Sequence, residues 1–112
     1  MDTGEARYQI VLSTAGSDEQ ARSIARALVE RRLAACVNIV PLGCSIYRWR
    51  GRIEQDEERL LLIKSARHLF PALCEAIREL HTYETPEVLA LDVRDGAADY
   101  LRWLEESLAE AT

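Results

Sequence analysis

The chain has 112 residues, 48% of them apolar and 29% charged, with a net charge of −5 at neutral pH. That length suits one domain, 1–112, built around one core, and the composition excludes a disordered chain. The acidic balance argues against nucleic acid or an anionic membrane as the main partner, and no apolar run approaches the ~18 residues of a membrane span.

Residues 1–7 are polar and mixed in charge, without the apolar core of a signal peptide. The three cysteines have no paired spacing. That argues against a disulfide scaffold and for a reducing, cytoplasmic setting. Residues 8–13 carry Ile10, Val11 and Leu12 and read as a buried strand. Thr14-Ala15-Gly16-Ser17 breaks it. Ser17 or Asp18 then suits a helix N-cap, with Glu19 in the first turn. Ala21, Ile24, Ala25, Leu28, Val29 and Leu33 follow at helical spacing, which predicts a helix over 18–33.

Residues 36–64 read as two long strands, 36–49 and 52–64, joined at Arg50-Gly51. Glycine there can take the positive φ of a two-residue hairpin turn. Each strand has roughly 13 or 14 residues and could span ~45 Å, whereas a compact domain of this size has a radius of gyration of ~13 Å. The apolar phase shifts along the first strand. Val37 and Ile39 are at odd positions; Val40, Leu42, Cys44 and Ile46 are at even ones. Pro41 and Gly43 lie between, so the strand is expected to bend there, with a base in its own core and an arm beyond it. The arm tip carries Ile46, Tyr47 and Trp49, which a lone subunit would leave wet. The expected cover is another copy of the chain.

Residues 65–80 present Ala66, Leu69, Phe70, Leu73, Cys74, Ile77 and Leu80 on one helical face, with Pro71 tolerated near the first turn. A polar connection over 81–87, a strand over 88–93, a turn at Asp95-Gly96 and a helix over 97–108 complete the chain. The order β-α-β-β-α-β-α predicts an α+β, ferredoxin-like split βαβ sandwich with two helices on one face. The last helix is expected to cover an edge strand.

Five motifs then look familiar together. They are Arg32-Leu33-Ala34-Ala35-Cys36-Val37-Asn38-Ile39, Ser45-Ile46-Tyr47-Arg48-Trp49-Arg50-Gly51, Leu61-Leu62-Ile63-Lys64, His81-Thr82-Tyr83-Glu84-Thr85-Pro86-Glu87 and Asp99-Tyr100-Leu101-Arg102-Trp103-Leu104. In their order and spacing the chain resembles the CutA family of divalent-cation tolerance proteins. The resemblance implies a ferredoxin-like subunit in a homotrimer built by its long hairpins. It implies a link to copper or another divalent cation, weakly held, and no defined enzymatic reaction. The fold it implies is similar to that of the PII signalling proteins, trimers that sense small molecules. Two departures stand out. The family's His-Pro-Tyr is His81-Thr82-Tyr83 here. Ser13 and Leu80 stand where some members carry a copper-ligating cysteine and a second histidine, so a site of that type would keep only His81.

The residues themselves leave several readings open. Cys36 is a small core side chain or a soft thiolate ligand for Cu(I). Cys74 reads as core, and Cys44 lies on the arm. His81, Tyr83, Glu84 and Glu87 form the densest polar cluster. Its imidazole and carboxylates suit Zn(II) or Cu(II), or the histidine caps the helix end as a cation. The candidate metal ligands are therefore His81, Cys36 and Glu87. The candidate lining of a cleft between subunits is Tyr47, Trp49, Lys64, Tyr83 and Glu84, with Lys64 attracting an anion. Aromatics such as Tyr47, Trp49 and Trp103 equally suit an interface or core. Asp56-Glu57-Glu58 reads as a solvated edge or as ion-pair partners of Arg48, Arg50 and Arg52 on another copy. No phosphate loop, His-Glu-x-x-His or nucleophile elbow is present, so no enzyme is expected.

Overall fold

Alternation of side chains across a strand sets the centre of the molecule. A computed structural model describes residues 6–41 and 43–109. Strand β1 (Tyr8–Ala15) buries Val11, Ser13 and Ala15 on one face and leaves Ile10 and Leu12 half-buried on the other. It pairs with the strand Arg59–Ala66 along its whole length and with the strand Leu89–Val93 over Tyr8 to Leu12. The helix α1 (Asp18–Glu30) starts where Ser17 Oγ accepts the Gln20 N–H at 3.1 Å, and Asp18 and Glu19 sit against its positive end. Ala21, Ile24 and Leu28 are its buried stripe.

α1 stops at Glu30, three residues short of the predicted Leu33. Arg32 takes a left-handed φ of 58°, its N–H donates to Val29 O, and the Leu33 N–H donates to Leu28 O. These are the two bonds of a Schellman cap, which satisfies carbonyls that a longer helix would leave open.

The long hairpin is present but interrupted on both sides. β2 (Cys36–Pro41) and β5 (Arg59–Ala66) belong to the main sheet; β3 (Ser45–Trp49) and β4 (Arg52–Asp56) form a separate two-stranded arm. The first break falls at Pro41 and Gly43, whose φ is 96°, as the phase shift predicts. The second, at Glu57-Glu58, corrects the expected unbroken return strand. Glu58 turns inward there and is 8% exposed. Leu42 and residues 1–5 lie outside the described residues. Arg50 and Gly51 both have positive φ, 51° and 79°, as a type I′ turn requires. The arm draws the molecule out to 47 × 30 × 23 Å, with a radius of gyration of 14.9 Å.

Helix α2 (Phe70–Leu80) follows a single 3₁₀ turn, Arg67–Leu69, and so begins later than the predicted residue 65. Ser65 and Ala66 stay in β5, paired with Gln9 and Tyr8, and Ser65 Oγ donates to Leu33 O at 2.7 Å. Sheet pairing outweighs the helical periodicity at those two residues. β6 (Leu89–Val93) pairs antiparallel with β1, giving the strand order β2-β5-β1-β6.

α1 and α2 pack on one face of this sheet, enclosing Val11, Leu61, Ile63, Leu73 and Ile77. Directly opposed residues share a face, so Ile10, Leu12, Leu62, Leu89 and Leu91 line the other. Helix α3 (Ala98–Leu108) packs Leu104 and Leu108 on Ala66, Tyr8 and Ala35, at one end of that second face, rather than along an edge strand as expected. The rest of the face is open, with Leu89 57% and Leu91 54% exposed.

A left-handed residue with a Cβ carries about 1–2 kcal/mol of strain. Arg32→Gly is expected to raise stability by up to about 1 kcal/mol, after loss of the exposed Arg32 bond to Ser107 O. Arg32→Ala, which keeps the strain and loses the bond, is expected to lower it. Urea unfolding at one fixed protein concentration separates the two outcomes.

Candidate functional site

The connection after α2 is anchored by its first residue. The His81 N–H closes the helix by donating to Ile77 O at 2.9 Å. Its ring is buried, with Nε2 2.7 Å from Thr14 O, and Nδ1 accepts the Tyr83 N–H at 3.0 Å. An amide N–H facing Nδ1 assigns the ring proton to Nε2, which then donates to the Thr14 carbonyl. Both nitrogens are spent on the backbone. This corrects the reading of the ring as a cationic cap; the cap is its backbone.

His81 holds Tyr83 in place, with ring centroids 4.3 Å apart. The Tyr83 hydroxyl donates to Glu58 Oε2 at 2.7 Å. Gly16 leaves room for that phenol, since a Cβ there would lie 3.1 Å from its oxygen. Across the arm, the Tyr47 hydroxyl donates to Asp56. Burial first, and then the bond to Glu58, pushes the Tyr83 phenol well above its usual range. The bond to Asp56 pushes Tyr47 up to about 12.

Between arm and connection lies a cleft of ≈ 330 Å³. Tyr47, Trp49 and Tyr83 give it aromatic walls, Glu58, Glu84 and Glu87 give it carboxylates, and Thr14 and Thr85 add hydroxyls. Arg50 reaches over its rim, with its guanidinium 3.0 Å from Glu84 Oε2 and its Cζ 5.4 Å from the Trp49 ring centroid. Both Arg50 and Glu84 side chains are 70% exposed, so the pair is weak in water.

The structure gathers Tyr47, Trp49, Tyr83, Glu84 and Glu87 around this cleft. Lys64 is elsewhere. It pairs with Cys36 on one side and Ile10 on the other, and its Nζ sits 5.5 Å from the Tyr100 ring. The expected lysine-lined anion site is therefore not formed within one chain. Cys36 shares that distant level, four residues from Thr14 along β1, or ~13 Å at strand rise. His81, Cys36 and Glu87 are thus not brought together, and no three His, Cys, Asp or Glu side chains are grouped to hold a metal among the described residues of one chain. The residues present in a single chain do not fit a resident metal. Ser13, the counterpart of a ligating cysteine in some relatives, lies buried outside the cleft lining, and its Oγ has no hydrogen-bond partner among the described residues.

Glu58 is the residue that the sequence reading missed. The expectation is a solvated edge or an ion-pair partner of an arginine on another copy, yet Glu58 is buried beneath Tyr83. The available signal was the triple acid Asp56-Glu57-Glu58 between the polar half of the return strand, Arg52 to Gln55, and its apolar half, Leu60 to Ile63.

A family model described as CutA1 divalent ion tolerance protein matches residues 9–107. The chain belongs to the CutA1 family. The divalent-cation tolerance protein CutA of Thermus thermophilus is 54% identical over 99 residues, which are 88% of this chain and 96% of that one. Protein CutA of Mus musculus is 50% identical over 83% of this chain; the match spans 52% of the mouse protein, about half its length. The solved Cut A1 structure from Thermus thermophilus superposes with a TM-score of 0.86 at 53% identity, covering 89% of this chain and 97% of that one. The mixed α+β fold is that of CutA1 structures. Among the described residues no helix is long and apolar enough to cross a membrane.

The two raised phenols fix the alkaline behaviour. A folded-state value above the unfolded 10.0 contributes stability that is full below pH 10 and is lost as pH rises through the folded value, about 12 for Tyr47. Phenolate absorbance is therefore expected to show two late-titrating tyrosines, with melting temperature falling from pH 10 to 12. Tyr47→Phe and Tyr83→Phe should each remove one late step.

Proposed function

We propose that this CutA1-family chain acts as a homotrimer in divalent-cation tolerance, in the cytoplasm, by binding rather than by catalysis. What carries this reading is the match to a divalent-cation tolerance protein over 96% of that protein's length. The subunit reads as ferredoxin-like once the arm is set aside, with strand order β2-β5-β1-β6 and two helices on one face.

Two exposed apolar surfaces support assembly. One is the open sheet face around Leu89 and Leu91. The other is one side of the arm. Residues opposed in the arm share a side, so Ile46, Arg48, Ile53 and Gln55 form one side, and Tyr47, Trp49, Glu54 and Arg52 the other. Ile46 is 67% and Ile53 63% exposed. A neighbour covering that side leaves the Tyr47–Trp49 side to the cleft.

A divalent cation, copper or another, is held weakly at Glu84 and Glu87, with groups of a neighbouring copy completing the ligand set. The support is that Glu84 and Glu87 both line the cleft and that the chain matches a divalent-cation tolerance protein. A second reading, a PII-like small-molecule site, is favoured by the same cleft, whose volume and aromatic walls exceed the needs of one ion.

Light scattering at micromolar concentration is expected to give three times the chain mass, and Ile46→Glu/Ile53→Glu to shift it toward monomer; a monomeric wild type overturns the assembly. Calorimetry with Cu(II) and Zn(II) is expected to show weak binding that Glu87→Gln reduces. His81→Ala is expected to lower the melting temperature and leave cation affinity unchanged. Loss of binding in His81→Ala at intact trimer mass would restore the ring as a ligand.

A further inference from the structure

Three features of the cleft are unexplained by assembly. Its lining carries Glu58, Glu84 and Glu87 and no cationic side chain. Glu58 is more than nine-tenths buried, and its Oε2 accepts from Tyr83. Its carboxylate lines the cleft, and no cationic side chain in that lining pairs with it. Finally, the chain's own Arg50 already lies at the rim, bonded to Glu84 and within cation–π distance of Trp49.

We infer that this cleft binds an organic cation of the amine or guanidinium type, preferably one with two charged ends. The inference rests on the small-molecule reading above and names its ligand class. Size leaves room for more than a bare metal ion. A cleft of ≈ 330 Å³ falls in the range of small-molecule pockets, whereas one water occupies about 30 Å³. Spacing agrees, because the carboxylates do not converge in a group of three among the described residues. Separated carboxylates suit a ligand whose charges are themselves separated by a chain. Its methylenes would lie on the rings of Tyr47 and Trp49, one charged end would reach Glu58 and Thr14, and the other Glu87. Arg50 occupies one of these positions from within the protein and so competes with the ligand for Glu84 and Trp49.

The test is calorimetry of the full-length protein in metal-free buffer, with agmatine and spermidine as probes. The neutral diol 1,4-butanediol and the dianion succinate are controls. Both cations are expected to bind and both controls to fail, with affinity falling as salt rises. Glu87→Gln and Trp49→Leu are each expected to weaken agmatine binding roughly tenfold. Arg50→Gln is expected to tighten it severalfold, which general charge screening would not do. Trp49 and Arg50 are exposed and Glu87 is half-buried, and unchanged trimer mass and melting temperature confirm the fold of each variant. No heat with either cation, equal binding of butanediol, or weaker binding in Arg50→Gln overturns the inference. Agmatine binding without Cu(II) or Zn(II) binding removes the metal reading and keeps this one; metal binding without agmatine binding does the reverse.

Discussion

A hydrogen bond from the Tyr83 hydroxyl to the buried Glu58 carboxylate sits where the arm leaves the main sheet. It ties the connection after α2 to the point where the return strand leaves the main sheet. To meet it, Glu58 turns inward and the strand breaks, freeing β3 and β4 to form an arm of their own. Gly16 provides the space and His81 the orientation. A charge-assisted bond at a part-buried site is worth about 1.5–3 kcal/mol, and far more is lost if the carboxylate is stranded. The cleft exists because this bond holds its floor while the arm forms its wall.

Much of this architecture was legible because periodicity reports burial. The apolar spacing of Ala21, Ile24 and Leu28, and of Leu73 and Ile77, placed two helices on the same face. The phase change at Pro41 and Gly43 placed the first break. The second break escaped, since Arg52 to Lys64 shows no proline or glycine, and a buried glutamate looks like a surface one in a string of letters. The helix ends escaped for a related reason. Arg32 in a left-handed conformation contradicts local preference, and it is the carbonyls of Leu28 and Val29 that require it. At Ser65 and Ala66 the partners that overrule helical spacing, Gln9 and Tyr8, lie near the start of the chain, far outside any local window.

The site divides in the same way. Residues close in sequence to His81, namely Tyr83, Glu84 and Glu87, stay together in space, as does the arm's aromatic side. Cys36 and Lys64 do not join them, because the sheet register places both at the opposite end. His81 itself is the clearest case. An imidazole among carboxylates invites a metal, yet each ring nitrogen faces a backbone group, and only the fold reveals that. Its contribution is to set the position of Tyr83, and through it the shape of the cleft.

The arm has a period of two, and that has an evolutionary consequence. Ile46 and Ile53 point one way, Tyr47 and Trp49 the other, from alternate positions of the same two-stranded ribbon. Substitution at one set leaves the other undisturbed. Lineages can therefore change the residues of the aromatic side while those of the opposite side stay fixed. A ribbon of this kind lets a family hold one surface constant across distant organisms while the other drifts.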